Sequence, residues 1–393
     1  MSPRSQIQYA KIGVISIAHI FNDLYSNYLP QLFPFLVVLS PDFTATRATI
    51  LVSAFTLTSS MVQPLFGYFL DRKGKRWLVH VGTLWMAVML SLTGWVDNYW
   101  LMVLLAALAG LGTAAFHPQA STMVNVLSGD YKAVMLSFFV AAGNIGFALG
   151  PLLLVPLFEA YGLKATAITV IPGILVAVLL YFFSPSNTEL AGSASGLADV
   201  LQSLKSARRE LAAIIGVIAI RSLSYSGMLA LLPLYFKSQN LSNIAASHLL
   251  TIMLFAGAVG GLLGGFLSDY YGRKKLVIGS LCLSSPLFFF YLYTQGVWSL
   301  IFLALAGAAL LSSSSVTIVA AQEAIPDNKS LAAGLTIGFA GGIGGLAVIL
   351  IGRIGDSWGL AAAIFVLFLL PLVAGLVALL MQDRPAARLQ RQE

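Results

Sequence analysis

The chain has 393 residues, 58% of them hydrophobic and only 9% charged, whereas soluble domains carry about 25% charged residues. No soluble fold of this length hides that much apolar surface. In lipid it need not, but unsatisfied backbone groups cost several kcal/mol there, so only helices or a closed barrel remain. The formal charge of +7 would suggest nucleic acid in a soluble protein; here the positions of the cations decide its meaning.

Long unbroken apolar runs, rather than ten-residue alternation, select helices. Twelve spans are predicted. In the first half they cover roughly 10–38, 46–70, 77–96, 99–124, 133–158 and 164–184. In the second they cover roughly 210–236, 245–268, 275–294, 298–322, 331–352 and 359–381. The first run starts near Tyr9 and is too long, with no A-x-A-like end, for a cleavable signal peptide. Residues 185–209 form the longest polar stretch, with Gly192, Ser193, Ser195 and Gly196, and read as a linker. The expected domains are therefore 1–184, a linker 185–209, and 210–393. Cys282 is the single cysteine and lies in an apolar run, so no intramolecular disulfide forms.

Between spans 2 and 3 lies Gly67-Tyr68-Phe69-Leu70-Asp71-Arg72-Lys73-Gly74-Lys75-Arg76, and between spans 8 and 9 lies Gly265-Phe266-Leu267-Ser268-Asp269-Tyr270-Tyr271-Gly272-Arg273-Lys274. Both read G-x-x-x-D-x-x-G-[KR]-[KR], half a chain apart, which implies two copies of one unit. Gly67 permits close helix approach. Asp71 can cap a helix or pair with Arg72 or Arg76, and Gly74 allows a tight turn. Gly265, Asp269, Gly272 and Arg273 are the corresponding gating candidates in the second copy.

An even number of spans puts both termini on one side. That side holds seventeen of the twenty-two Lys and Arg residues; the other holds Arg47, Lys164, Lys237 and Arg353, and Arg221 falls inside a span. The positive-inside rule then makes the termini cytoplasmic. The basic balance reports topology, with a lipid bilayer and no nucleic acid as partner.

Six plus six helices with a duplicated cationic loop resemble the major facilitator superfamily. The resemblance implies an all-α membrane protein of twelve transmembrane helices in two pseudo-symmetric six-helix bundles. It narrows at His19-Ile20-Phe21-Asn22-Asp23, at Ser59 to Tyr68, at Phe116-His117-Pro118-Gln119-Ala120-Ser121, at Ala321-Gln322-Glu323 and at Gly338 to Leu346, which look like the fosmidomycin-resistance family of bacterial inner-membrane, proton-driven exporters. That family usually carries a glutamate where this chain has Gln119. Gly143-Asn144-Ile145-Gly146-Phe147-Ala148-Leu149-Gly150-Pro151 resembles the superfamily's span-5 antiporter signature. There, as with Gly257, Gly260, Gly261, Gly264 and Gly265 in span 8, small residues are expected to slide where the two halves cross.

Ionisable residues inside a bilayer are functional candidates by default. Asp23 lies twelve residues after Lys11, about 18 Å along a helix, and Arg221 lies equally deep after Arg209. The superfamily fold implies that spans 1, 4, 7 and 10 line a central cavity, where Asp23 and Arg221 would face each other as a proton-coupling pair or a permanent ion pair. His19 lies one turn from Asp23 and shares its face; histidine titrates near pH 6.5 and can relay a proton. His117 is a relay or a satisfied donor, and Glu323 a fourth proton-coupling candidate or an interfacial acid. Asn22, Tyr25, Arg221, Tyr225, Gln322 and Asn144 are the expected substrate-binding residues, and Ser312 to Ser315 line a polar path or pack helices. No metal site is expected, because the histidines lie on different helices without Cys or acidic-ligand spacing.

The resulting reading is a monomeric, proton-coupled antiporter that exports a small amphipathic or anionic compound and needs no cofactor. An uptake symporter is the alternative. A membrane enzyme or sensor is remote, since no usable G-x-S-x-G, H-E-x-x-H or phosphate-loop motif occurs.

Overall fold

The computed structural model describes residues 7–63, 75–129, 131–185, 202, 204–326, 331–332 and 334–383. Its helices are α1 (Tyr9–Ser26), α2 (Leu29–Leu39), α3 (Ala45–Thr56), α4 (Trp77–Ser91), α5 (Tyr99–Leu127), α6 (Lys132–Tyr161), α7 (Val170–Phe183), α8 (Arg208–Ser238), α9 (Asn243–Tyr271), α10 (Arg273–Tyr293), α11 (Gly296–Ala324), α12 (Gly341–Trp358) and α13 (Leu360–Val377). No strand occurs among the described residues. Among the described residues, ten helical stretches are long and apolar enough to cross a membrane, corresponding to expected spans 3 to 12.

The first expected span is broken, α1 and α2 being separated by Asn27 and Tyr28. Pro30 has no amide hydrogen to give the Ser26 carbonyl, so the α1 ladder cannot run through it, whereas a proline in the first turn of α2 costs nothing. Asn27 seals the joint: its side-chain amide donates to the Phe147 carbonyl of α6 at 2.9 Å. The second expected span leaves α3 through a π-helical turn at Leu57–Met61. There the Thr58 hydroxyl donates to the Ala107 carbonyl of α5 at 2.7 Å. Beyond Gln63 that span enters residues outside those described.

The chain forms two compact units, Met1–Phe35 with Ala54–Ala194, and Leu36–Ser53 with Ser195–Glu393. In the first, α1 packs on α6 and α7, α4 on α5 and α7, and the π turn on α5. Its core includes Ile15, Ala18, Val79, Phe116, Phe139, Val176 and Leu180. A Cβ on Gly82 would lie 2.9 Å from the Gly112 carbonyl, so two glycines set the α4–α5 approach.

The second unit repeats the pattern: α8 packs on α12 and α13, α10 on α11 and α13, and α9 on α11. The α9 glycines pack inside their own unit. A Cβ on Gly260 would lie 2.5 Å from the Ala308 Cα, and one on Gly264 would strike the Ser312 backbone, so this stripe seats α11 within its own unit. The Ser312 and Ser315 hydroxyls complete that contact, donating to the Gly260 and Gly261 carbonyls at 3.0 Å each. Leu36–Ser53 also belongs here. The Asp356 carboxylate at the end of α12 caps α3, accepting from the Ala45 and Thr46 amides at 2.8 and 3.0 Å.

Candidate functional site

In the middle of the first unit, α1, α5 and α6 bring three ionisable side chains together. His19 and Asp23 stand one turn apart on α1, with Nε2 3.3 Å from Oδ2. His117, 94 residues away on α5, places its Nε2 3.0 Å from Oδ1 of the same carboxylate. The two imidazoles meet edge to face at 5.0 Å. Gly143 of α6 makes the room: a Cβ there would strike the His19 ring and lie 2.5 Å from Asp23 Oδ2. Gly146, one turn on, seats α6 against the Ile20 backbone. The glycines of the antiporter-like signature therefore hold α6 on α1.

Hydrogen-bond chemistry fixes what these rings can do. His19 Nδ1 lies 2.7 Å from the Phe139 carbonyl and His117 Nδ1 lies 3.1 Å from the Thr113 carbonyl. A carbonyl oxygen can only accept, so both Nδ1 atoms carry hydrogen. In a neutral ring Nε2 is then a bare lone pair, and here each Nε2 faces a carboxylate oxygen. Acceptor facing acceptor at about 3 Å is repulsive unless a proton or another cation is shared between them. Phe139 also stacks on His19 with ring centroids 4.0 Å apart, which fixes the imidazole plane. The Asp23 and His117 side chains remain 17% and 24% exposed, so the cluster is reachable.

Asn22 and Tyr25 do not share this face, which corrects their expected place in the substrate path. A helix turns about 100° per residue, so His19 aligns with Asp23 while its nearer neighbours point away. Asn22 is fully buried and donates to Ala18 and to Thr83 of α4 at 3.0 and 2.9 Å. Tyr25 is 1% exposed, its hydroxyl donating to the Thr169 carbonyl. Both fasten α1 in its bundle. Asn144 is half-buried on α6, and Gln119 is buried in α5.

In the second unit, half-buried Arg221 of α8 donates through Nη1 to the Ser314 hydroxyl of α11. Of the serine run, Ser314 is thus the member that meets a charged group, while Ser312 and Ser315 pack α9. Tyr225 is one turn beyond Arg221 and half-buried. Asp23 and Arg221 each have polar partners inside their own unit.

Glu323 and half-buried Gln322 lie at the end of α11. Glu323 pairs with Arg273 at 3.3 Å, and Arg273 also pairs with Asp269 at 2.6 Å and donates to Ser268. This ionic knot ties the ends of α9, α10 and α11, far in sequence and in element from the histidines, and gives Glu323 a cation as partner. Gly272, with φ at +88°, makes the turn between α9 and α10. In the first loop copy, Arg76 donates to the Tyr181 carbonyl of α7 at 2.6 Å; Gly67, Asp71, Arg72 and Gly74 lie outside the described residues. Phe139 and Asp356 were not singled out by sequence, and Ser314 only as one of the run Ser312 to Ser315.

The separate-helix argument against a metal site fails as well. The ligating atoms of His19, Asp23 and His117 all lie within 4.8 Å of one another.

The family model described as Major Facilitator Superfamily matches residues 15–248 and 214–393. The chain belongs to the major facilitator superfamily. It is a multi-pass membrane transporter, not an enzyme. As a member of the superfamily, it is 30% identical over 392 residues to the Fosmidomycin resistance protein of Escherichia coli (strain K12), covering 97% of this chain and 95% of that one. It is also 30% identical over 390 residues to the uncharacterized MFS-type transporter YfnC of Bacillus subtilis (strain 168), covering 96% and 94%. Among solved structures, a bacterial homologue of the human lysosomal transporter Spinster superposes with a TM-score of 0.76 at 14% identity, covering 97% of each chain. That likeness shows the twelve-helix fold.

Proposed function

We propose that this transporter is a proton-coupled antiporter that exports a small anionic or amphipathic compound, of the kind a phosphonate antibiotic represents. The observation that carries the coupling is the His19–Asp23–His117 cluster. Two Nε2 atoms, held by carbonyls in the lone-pair form, face one carboxylate at 3.3 and 3.0 Å. Loading a proton makes these contacts attractive and losing it makes them repulsive, which gives alternating access a charge-dependent switch. The acid missing at Gln119 is supplied by Asp23, one side chain from His117.

Arg221 supports the anionic part of the reading. Arg221 is half-buried, and within its own unit the neutral Ser314 hydroxyl is the partner of its guanidinium. An anionic group on the cargo would complete it. The Escherichia coli relative is named for resistance to fosmidomycin, which favours export. We place the protein in a bacterial inner membrane as a monomer with both termini cytoplasmic, the halves 1–184 and 210–393 joined by 185–209.

The test is flux in proteoliposomes under an imposed pH gradient, with a panel of phosphonates, carboxylates and neutral antibiotics. An antiporter moves substrate against the direction of proton flow. Movement of substrate with the protons would establish the uptake symporter instead.

A further inference from the structure

The same cluster has the make-up of a metal centre. It offers two imidazole nitrogens and one carboxylate oxygen, the donor set that suits zinc and neighbouring divalent transition ions. Zinc bonds of about 2.0–2.2 Å to such ligands place tetrahedral donors about 3.3 Å apart. His19 Nε2 lies 3.3 Å from Asp23 Oδ2 and His117 Nε2 lies 3.0 Å from Oδ1, so each imidazole has one oxygen of the shared carboxylate near that spacing. All three ligand atoms lie within 4.8 Å.

The outer contacts match as well. Metal-bound histidines characteristically donate the other ring N–H to a carbonyl or carboxylate, which fixes the tautomer and the ring plane. His19 does so to Phe139 and His117 to Thr113. Both ligand-bearing segments are helical, with His19 and Asp23 at i, i+4 on one face. The Asp23 and His117 side chains keep partial exposure, 17% and 24%. Calcium and magnesium prefer six or more oxygens, which this site does not provide.

We infer that His19, Asp23 and His117 form a divalent transition-metal site, best fitted to Zn2+, and that a bound ion arrests transport. The arrest rests on the proton-coupling reading above, because the metal occupies the atoms through which a proton would pass. The binding itself rests on geometry alone.

The experiment uses the full, tag-free chain in detergent, with Zn2+ alone followed by calorimetry and Co2+ alone followed by visible absorption. One ion per chain is expected, with the intense absorption of tetrahedral Co2+. Asp23→Asn and His117→Gln should each weaken binding at least about tenfold, while His80→Ala and His248→Ala leave it unchanged. Retained monodispersity and melting temperature show that the variants fold. No stoichiometric binding by the wild type, or binding indifferent to Asp23→Asn and His117→Gln, overturns the site. In proteoliposomes Zn2+ should inhibit flux in the concentration range in which it binds. Binding without inhibition overturns the arrest and the proton route through these atoms while leaving the metal site standing. Absent binding beside Asp23-dependent proton flux overturns the metal site and leaves the antiporter reading intact.

Discussion

The two units use the same packing for opposite chemistry. The 198-residue offset that relates Asp71 to Asp269 also relates Asp23 to Arg221 and Gly146 to Gly344. The glycine pair behaves alike: Gly146 seats α6 on the Ile20 backbone, and Gly344 seats α12 where a Cβ would lie 2.7 Å from the Leu223 amide of α8. The ionisable pair does not. Asp23 sits among two histidines, while its counterpart Arg221 reaches a serine. The repeat thus matches at the glycines that let helices approach and differs at the charged position. One unit carries a carboxylate between two imidazoles, the other a guanidinium beside a hydroxyl.

Asp23→Asn should break that asymmetry most severely. With a neutral amide between the rings, proton-driven flux should fall by about two orders of magnitude or more, with little change in melting temperature. Replacing the glycine that both units share should act on stability instead: Gly146→Leu and Gly344→Leu each overpack a backbone contact and should cost about 1–3 kcal/mol. Thermal unfolding in detergent measures this, and an effect confined to one half would contradict the equivalence. Arg221→Ala should weaken an anionic substrate by about 10–100-fold, the worth of a charged hydrogen bond, and leave a neutral substrate nearly unaffected. Competition binding with matched charged and neutral ligands separates these cases.

Smaller effects are expected at the ends of the helices. Asp356→Asn keeps an acceptor for the Ala45 and Thr46 amides but loses the charge at a helix N-terminus, costing about 0.5–1 kcal/mol. Glu323→Gln removes an exposed partner of Arg273 that still has Asp269. It should change stability by less than about 1 kcal/mol and leave the pH profile of transport in place. A large transport loss in Glu323→Gln would restore that residue as a coupling group.

Much of this was legible in sequence because it depends on local rules. Apolar run lengths gave the spans, the loop motif gave the repeat, and i, i+4 spacing put His19 with Asp23. Pro30 was visible as well, but its breaking of the first span depends on whether tertiary partners compensate the lost bond, and Asn27 and Phe147 supply only a side-chain substitute. Contacts 94 to 120 residues apart, such as His117 with Asp23 or His19 with Phe139, depend on helix rotation that composition does not encode. The same rotation turned Asn22 and Tyr25 inward. Glycine stripes showed that something approaches closely without showing what; Gly260 and Gly264 meet α11, and Gly143 and Gly146 meet α1.

The most direct measurement loads proteoliposomes with a transported anion, imposes an acid pulse outside, and follows substrate efflux and lumenal pH together. The account predicts that efflux and proton entry rise together in the wild type and that both vanish in Asp23→Asn, which still exchanges substrate for substrate at equal pH. Proton-coupled efflux of wild-type size in Asp23→Asn would contradict it.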